Sequence, residues 1–313
     1  MEQAPILADV CSHPDGGEGF WLRTRDGMRI RVGVWRGPDA SLGTVLLFPG
    51  RTEYIEKYTH VAAEMGARGY ATVIVDWRGQ GLADRPAWDR SMGHVERFMD
   101  YQSDVAAVMD ACDRLALPGP RCLMAHSMGG CIGLRALMQG LAVRAAAFTG
   151  PMWGIKMAPA LRPVAWVTGL GARALGRDRR YAPTTGPDTY VAVAPFADNT
   201  LTKDPEMYAL MQRQVAAYPD LALGGPSVAW LIAGLVETRA LAALRSPAVP
   251  CLTALGGDER IVATDRVHER MARWPGGRLD LYPAAEHEIL MEVPAHRTRF
   301  FDDAAALFRA HRV

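Results

Sequence analysis

Residues 122–130 read Cys122-Leu123-Met124-Ala125-His126-Ser127-Met128-Gly129-Gly130. A short apolar run stops at a serine, and a methionine and two glycines follow. That order suits a strand turning sharply into a helix. The serine is lifted onto a strained turn at the edge of a sheet, and small neighbours let backbones approach closely. The usual pattern for such a turn is Gly-x-Ser-x-Gly; here alanine stands at the first small position, which still leaves room. If the turn is a nucleophile elbow, the chain is a serine hydrolase, and the remainder must supply a base, an acid and an oxyanion hole.

The flanking sequence has the rhythm that such an elbow requires. Phe20 to Arg25 and Met28 to Trp35 predict two strands turning at Asp26-Gly27. Gly43 to Phe48 and Ala71 to Asp76 are apolar and rich in β-branched residues, as strands buried on both faces are. Helices are predicted over Tyr58 to Gly69 and Asp100 to Leu115, the second with Val105, Val108, Met109 and Cys112 at helical spacing. Cys131 to Gln139 continues as the helix behind Ser127, and Val143 to Thr149 is a further strand.

From Gly150 to about Leu244 the rhythm breaks. Proline and glycine are frequent, Trp153, Trp166 and Trp230 appear, and Leu161 to Leu175 and Pro205 to Tyr218 are amphipathic. Alternation then resumes with a strand over Cys251 to Leu255, a helix over Thr264 to Arg273, a strand over Arg278 to Tyr282 and a helix over Ala295 to Ala310. Alternation with short connections predicts an α/β fold with a mostly parallel, doubly wound sheet. The core is expected from residues 1–149 and 245–313, with a mainly helical cap inserted at 150–244.

Composition narrows the function. A hydrophobic fraction of 49% and a net charge of +1 over 313 residues describe an ordinary globule. With no zinc-finger spacing and no long basic run, nothing points to a nucleic-acid partner. Five scattered cysteines in mostly apolar surroundings read as reduced thiols rather than a disulfide frame, which predicts a cytoplasmic protein. The first twenty residues lack the basic and apolar regions of a signal peptide. No run approaches the about 18 apolar residues of a membrane span, so any contact with membrane lipid, at the inner face, is expected to be peripheral.

The partners of Ser127 appear in the order serine, acid, histidine. His287 follows the strand LDLYP in a loop at the same carboxyl edge of the sheet as Ser127, where ligands bind in open parallel sheets. Its imidazole would take the serine proton and return it to the leaving group. His296 falls inside the closing helix, and His126 is expected to point away from the serine. The acid that orients the imidazole must follow the strand ending at Leu255, in Gly256-Gly257-Asp258-Glu259-Arg260-Ile261-Val262. Spacing after the glycine favours Glu259, and Asp258, one place earlier, is the alternative. The oxyanion hole needs two backbone N–H donors. Met128, just after the serine at a helix N-terminus, offers one, and Arg51 in the Pro49-Gly50-Arg51 turn offers the other.

Seven segments carry a wider resemblance: PGRTEYIEKY (49–58), VDWRGQG (75–81), GHVERFMDY (93–101), AHSMGG (125–130), GGPS…W (224–230), GGDERIV (256–262) and EHEIL (286–290). In this order they resemble the α/β-hydrolase group that contains bacterial lysophospholipases and monoacylglycerol lipases, the bacterial lysophospholipase branch most of all. The resemblance spans nearly the whole chain, cap included. It implies the α/β-hydrolase fold, no cofactor, and hydrolysis of an acyl ester through an acyl-enzyme. Ser127 would be nucleophile, His287 base, Glu259 acid, and the Arg51 and Met128 N–H groups the oxyanion donors. Three departures stand out: Pro49-Gly50 where the monoacylglycerol lipases have His-Gly, Ala125 at the elbow, and Ala83 where serine usually follows the Arg-Gly-x-Gly turn. The first two are shared with the lysophospholipases.

Three readings follow. The leading one is an ester hydrolase acting on a single-chain lipid, a lysophospholipid or a monoacylglycerol, with the Trp, Met and Leu of the cap beside the serine. Arg162, Arg173, Arg177, Arg179 and Arg180 would then meet a phosphate or an anionic membrane, or simply line a solvated helix face. The second is a peptidase or amidase of the same superfamily, with Glu206 or Glu237 holding a substrate amine. The third is an inactive, hydrolase-like binding protein.

Overall fold

A computed structural model describes residues 1–13, 15–86, 88–158 and 160–312, with all their side chains except those of residues 161 and 162, so the Arg162 side chain lies outside the described residues. The strands are β1 (Glu2–Ala4), β2 (Gly17–Arg23), β3 (Arg29–Trp35), β4 (Thr44–Phe48), β5 (Ala71–Asp76), β6 (Arg121–His126), β7 (Ala146–Thr149), β8 (Cys251–Gly256) and β9 (Arg278–Tyr282). They form one sheet in the order β1-β2-β3-β5-β4-β6-β7-β8-β9. β1, β2 and β3 join antiparallel, β3 also runs antiparallel to β5, and every pair from β5 to β9 is parallel. The sheet is therefore the mostly parallel one expected, with an antiparallel edge.

The core helices are α1 (Thr59–Ala67), α2 (Tyr101–Arg114), α3 (Ser127–Met138), α8 (Thr264–Met271) and α9 (Pro294–Ala310). They cover both faces because each central strand is apolar on both. In β4, Val45 and Leu47 pack with Val61 of α1 and Phe301 of α9, while Leu46 and Phe48 pack with Val108 of α2 and Ile132 of α3. Burying each such side chain contributes about 1.5–3 kcal/mol.

Between β7 and β8 lie α4 (Leu161–Ala174), α5 (Tyr190–Val193), α6 (Pro205–Ala217) and α7 (Val228–Ala243). Asp204 caps α6 by accepting from the Glu206 and Met207 N–H groups, with Pro205 at the first helical position. Ser227 caps α7 through the Trp230 N–H at 3.0 Å. α4 lies close on α7: a Cβ on Gly169 would fall 2.1 Å from Ile232 Cδ1. Among the described residues no helix is long and apolar enough to cross a membrane.

Candidate active site

The elbow is built by close approach of backbones. β6 ends at His126, and α3 begins at Ser127 with φ +50°, a left-handed conformation costly for any residue but glycine. The turn leaves no space after the serine. A Cβ on Gly129 would lie 2.0 Å from the Phe48 carbonyl oxygen, and one on Gly130 2.7 Å from Pro151 Cβ. The small residues of the motif are thus required by β4 and by the segment after β7, which flank β6 on either side.

β4 delivers the loop that faces the serine. A Cβ on Gly50 would lie 3.0 Å from Ser127 Cβ, so the Pro49-Gly50-Arg51 backbone passes directly over the elbow. Trp77 Nε1–H donates to the Pro49 carbonyl at 3.0 Å, and Gln80 Nε2–H donates to those of Gly50 and Glu53 at 2.7 and 3.1 Å. Neither the Arg51 nor the Met128 N–H has an acceptor in the protein among the described residues, and both residues line the cavity that holds Ser127. Two free amides beside a serine are what an oxyanion hole requires.

β8 and β9 bring in the acid and the base. His287 Nδ1–H donates to Glu259 Oε2 at 2.6 Å, and both side chains are buried. The other oxygen of Glu259 accepts the Ile261 and Val262 N–H groups at 2.6 and 3.0 Å. Asp258, the alternative acid, is half-exposed and lies 3.5 Å from Lys203 Nζ. The structure brings Glu259, not Asp258, to the histidine. Burial works against the charged form of each partner, yet each outweighs burial for the other. The Glu259 carboxyl is held below its ordinary value by His287 and the two amides, and the His287 imidazole is pushed above its ordinary value by Glu259. With Nδ1–H fixed on Glu259, the neutral ring offers Nε2 as a proton acceptor. His287 and Ser127 line the same cavity of about 550 Å³ without a hydrogen bond between them, the looser spacing common in an unliganded site.

A profile of the serine aminopeptidase S33 family matches residues 39–294. The chain belongs to this family. Lysophospholipase L2 of Escherichia coli K12 is 33% identical over 281 residues, covering 85% of this chain and 80% of that protein. A probable lysophospholipase L2 of Haemophilus influenzae is 27% identical over 250 residues, covering 79% and 78%. Among solved structures, a soluble monoglyceride lipase variant of Saccharomyces cerevisiae superposes with a TM-score of 0.72 at 20% identity, covering 93% of this chain and 95% of that one. A carboxyl esterase of Bacillus coagulans gives 0.76 at 14% identity, covering 95% and 99%. The α/β-hydrolase fold expected from the sequence is the fold observed.

Within this S33 family member, one expectation needs correction. His126 does not point away from the site. Its ring lies against that of His287, with centroids 4.7 Å apart, and it lines the cavity. Its position at the end of β6 turns it inward, where Nδ1 lies 3.0 Å from the Thr149 carbonyl and 2.9 Å from Thr149 Oγ1. Burial lowers its pKa to about 3, so it stays neutral.

Beside it lies a buried ionic cluster that the sequence does not announce. Lys57 Nζ sits 2.8 Å from Glu53 and 2.7 Å from Glu288, the residue after His287. Glu53 also accepts from Tyr58 Oη at 2.7 Å and from the Gly50 N–H. The cluster therefore joins the loop over the serine to the loop bearing the histidine. Glu53, His126 and Glu288 come close enough to share a metal ion, but the Lys57 ammonium already lies on both carboxylates. In sequence, Glu53 and Lys57 read as an ordinary solvated pair four residues apart. Only their apolar neighbours Ile55 and Tyr58 hint at burial.

Proposed function

We propose that this protein is a serine hydrolase that cleaves the carboxylic ester of a single-chain lipid, a lysophospholipid or a monoacylglycerol, through an acyl-enzyme. The observation that carries the reading is Ser127 on a left-handed turn in one cavity with the Glu259–His287 pair. Ser127 Oγ attacks the ester carbonyl carbon while His287 Nε2 takes its proton. Glu259 stabilises the imidazolium, and the Arg51 and Met128 N–H groups receive the developing oxyanion. Collapse of the tetrahedral intermediate breaks the C–O bond, and the departing alkoxide takes the proton from Nε2. Water, deprotonated by the same ring, then releases the fatty acid and restores Ser127.

The cavity wall suits an acyl chain. Met152, Ile155, Val193, Met211, Val215 and Trp230 line it, contributed by the segment between β7 and β8. We assign residues 150–244 the role of a cap that shelters this chain. Peripheral contact with lipid falls to α4, whose Val164, Val167 and Leu170 are exposed on one face.

For the amidase reading, neither candidate acid is in place. Glu237 is taken by Arg135 at 2.6 Å, and Glu206 is exposed away from the cavity. Asp188 is the carboxylate of the cap that lines the cavity among the described residues, and it sits exposed. An inactive binding protein would have no need of a buried pair holding Nε2 free. Ser127→Ala is expected to abolish turnover of lipid and nitrophenyl esters, and labelling by a fluorophosphonate probe, with the thermal unfolding midpoint retained. Turnover surviving in a folded Ser127→Ala protein overturns the reading. Faster cleavage of aminoacyl amides than of esters by the unaltered protein would favour the amidase.

A further inference from the structure

Arg51 has a side chain as well as an amide, and its surroundings differ from those of the other arginines buried in this protein. Arg31 is enclosed by Glu56 and Asp76, and Arg78 by Asp26 and Asp104. Arg85 and Arg270 have no carboxylate but are held by several acceptors, Arg85 by the carbonyls of Gly81, Arg90, Asp220 and Ala222, and Arg270 by those of Leu241 and Leu244 and by Ser246 Oγ. Arg51 makes one hydrogen bond, from Nη1 to the Gly224 carbonyl at 2.8 Å, and lies over the Trp230 ring at 5.7 Å. No carboxylate pairs with it among the described residues. Burial without such a partner pulls its pKa down to about 10, which leaves it charged at neutral pH.

A guanidinium carries five N–H donors in a planar fork, and here one is used within the protein. The unused donors of a half-buried cation must find acceptors in water or in a ligand, and a ligand anion that displaces the water gains the stronger, charge-assisted bonds. The carboxylates of the same cavity do not supply them: Glu53 and Glu288 close on Lys57, and Asp188 is exposed. The loop carrying Arg51 touches the serine, so its side chain starts beside the scissile bond. Its Gly224 anchor ties it to the Gly224-Gly225 backbone, and the guanidinium lies over the Trp230 ring where that backbone meets the apolar wall of the cavity. A tetrahedral anion one glycerol unit away from the ester matches this arrangement in charge and in fork geometry.

We propose that the Arg51 side chain is the specificity-determining group that recognises a phosphate on the substrate's glycerol, so that the preferred esters are lysophospholipids and not neutral monoacylglycerols. The inference rests on the ester-hydrolase reading. A monoacylglycerol has no anion to offer and leaves the guanidinium donors unmatched in the bound state. A lysophospholipid accepts two of them at once.

The test compares kcat/KM for a 1-acyl lysophospholipid and the 1-monoacylglycerol of the same acyl chain, in the unaltered protein, Arg51→Met and Arg51→Lys. The unaltered protein should favour the lysophospholipid. Arg51→Met should lower the ratio of the two values by at least about tenfold, the scale of a lost charge-assisted hydrogen bond. Arg51→Lys, which keeps the charge without the fork, should recover part of it. A ratio unchanged in Arg51→Met, with both substrates falling together, would overturn the proposal and leave the residue its backbone role alone.

A second measurement covers a variant that does not fold. Short-chain ether analogues, which cannot be cleaved, compete with a nitrophenyl ester in the unaltered protein. The phosphate-bearing ether should inhibit at least about tenfold more strongly than the neutral alkylglycerol, and equal inhibition counts against the proposal. Failure of the unaltered protein to cleave any ester strikes the ester-hydrolase reading itself, whereas good cleavage with no phosphate preference strikes only the inference about Arg51.

Discussion

Glu259 and Asp258 are neighbours of the same charge with opposite surroundings. Glu259 is enclosed by His287 and two amides, while Asp258 faces solvent and Lys203. Their sequence positions differ by a single place, and one residue of loop is too little for spacing to separate them. Only the loop's return under β9, where the Asp258 N–H donates to the Ala285 carbonyl at 2.9 Å, decides which side chain turns inward. Glu259→Gln should therefore lower kcat by on the order of 10⁴, because an orienting acid acts as a unit with its base, and Asp258→Ala should change it little. The pH profile separates a catalytic loss from a folding loss. His287 must be neutral to accept the serine proton, and Glu259 raises its pKa, so kcat/KM should rise with pH through a midpoint above the ordinary imidazole value. Removing that charge leaves burial, which lowers the pKa, opposed only by the smaller pull of Glu288 and Glu53, so the acid limb of Glu259→Gln should move to lower pH. An acid limb at the same pH in both proteins would deny Glu259 its electrostatic role.

The loop over the serine and the loop bearing the histidine meet at Lys57, whose ammonium lies on one carboxylate from each. Burial would lower the Lys57 pKa, but Glu288 and Glu53 outweigh it and hold it above its ordinary value. Lys57→Met fits the volume but leaves two buried carboxylates without their cation. Breaking a buried pair from one side costs about 3–5 kcal/mol, so urea unfolding should shift by that amount, and kcat should fall with it because both loops loosen. Double replacement of Lys57 and Glu288 by Met and Gln should recover part of the stability, since one buried charge is then removed along with its partner. A loss no greater in Lys57→Met than in the double variant would mean that the ammonium is not holding the loops.

The elements themselves were largely legible. Strands such as Thr44–Phe48 and Ala71–Asp76 are continuous apolar runs because both faces are buried, a pattern that sequence carries directly. β1 was not, since its three residues at the sheet edge include the exposed Glu2 and Gln3 and show no apolar pattern. α7 escaped for the opposite reason: it is apolar nearly all round, so it has no stripe to betray a helix. The Lys57 cluster was hidden because burial of charge depends on where two loops distant in sequence meet, which no local pattern records.

At the scale of the molecule, the open question is how a lipid reaches the cavity. α4 packs on α7 by one side and exposes Val164, Val167 and Leu170 on another, with Val167 73% exposed. Arg173, Arg177 and Arg180 follow within and beyond its last turn and are exposed as well. Val193, 64% exposed, lines the cavity, so the apolar surface extends from solvent into the site. Under the peripheral contact proposed above, such a face would meet an anionic lipid surface with the valines and leucine in the acyl boundary and the guanidinium groups among the headgroups. The amphipathic spacing of α4 is readable in the sequence, but that an apolar side faces solvent depends on Ile232 of α7 claiming the side that bears Gly169. Val167→Asp should then weaken sedimentation with vesicles containing anionic lipid and slow turnover of esters presented in them, several-fold in each case. Turnover of a soluble short-chain nitrophenyl ester should stay the same, since Val167 is remote from the serine chemistry. Added salt should weaken vesicle binding of the unaltered protein, because the arginine contribution is screened within about 10 Å at 0.1 M. Loss of both activities together would indicate a damaged cap, and unchanged vesicle binding would show that α4 is not the face that meets lipid.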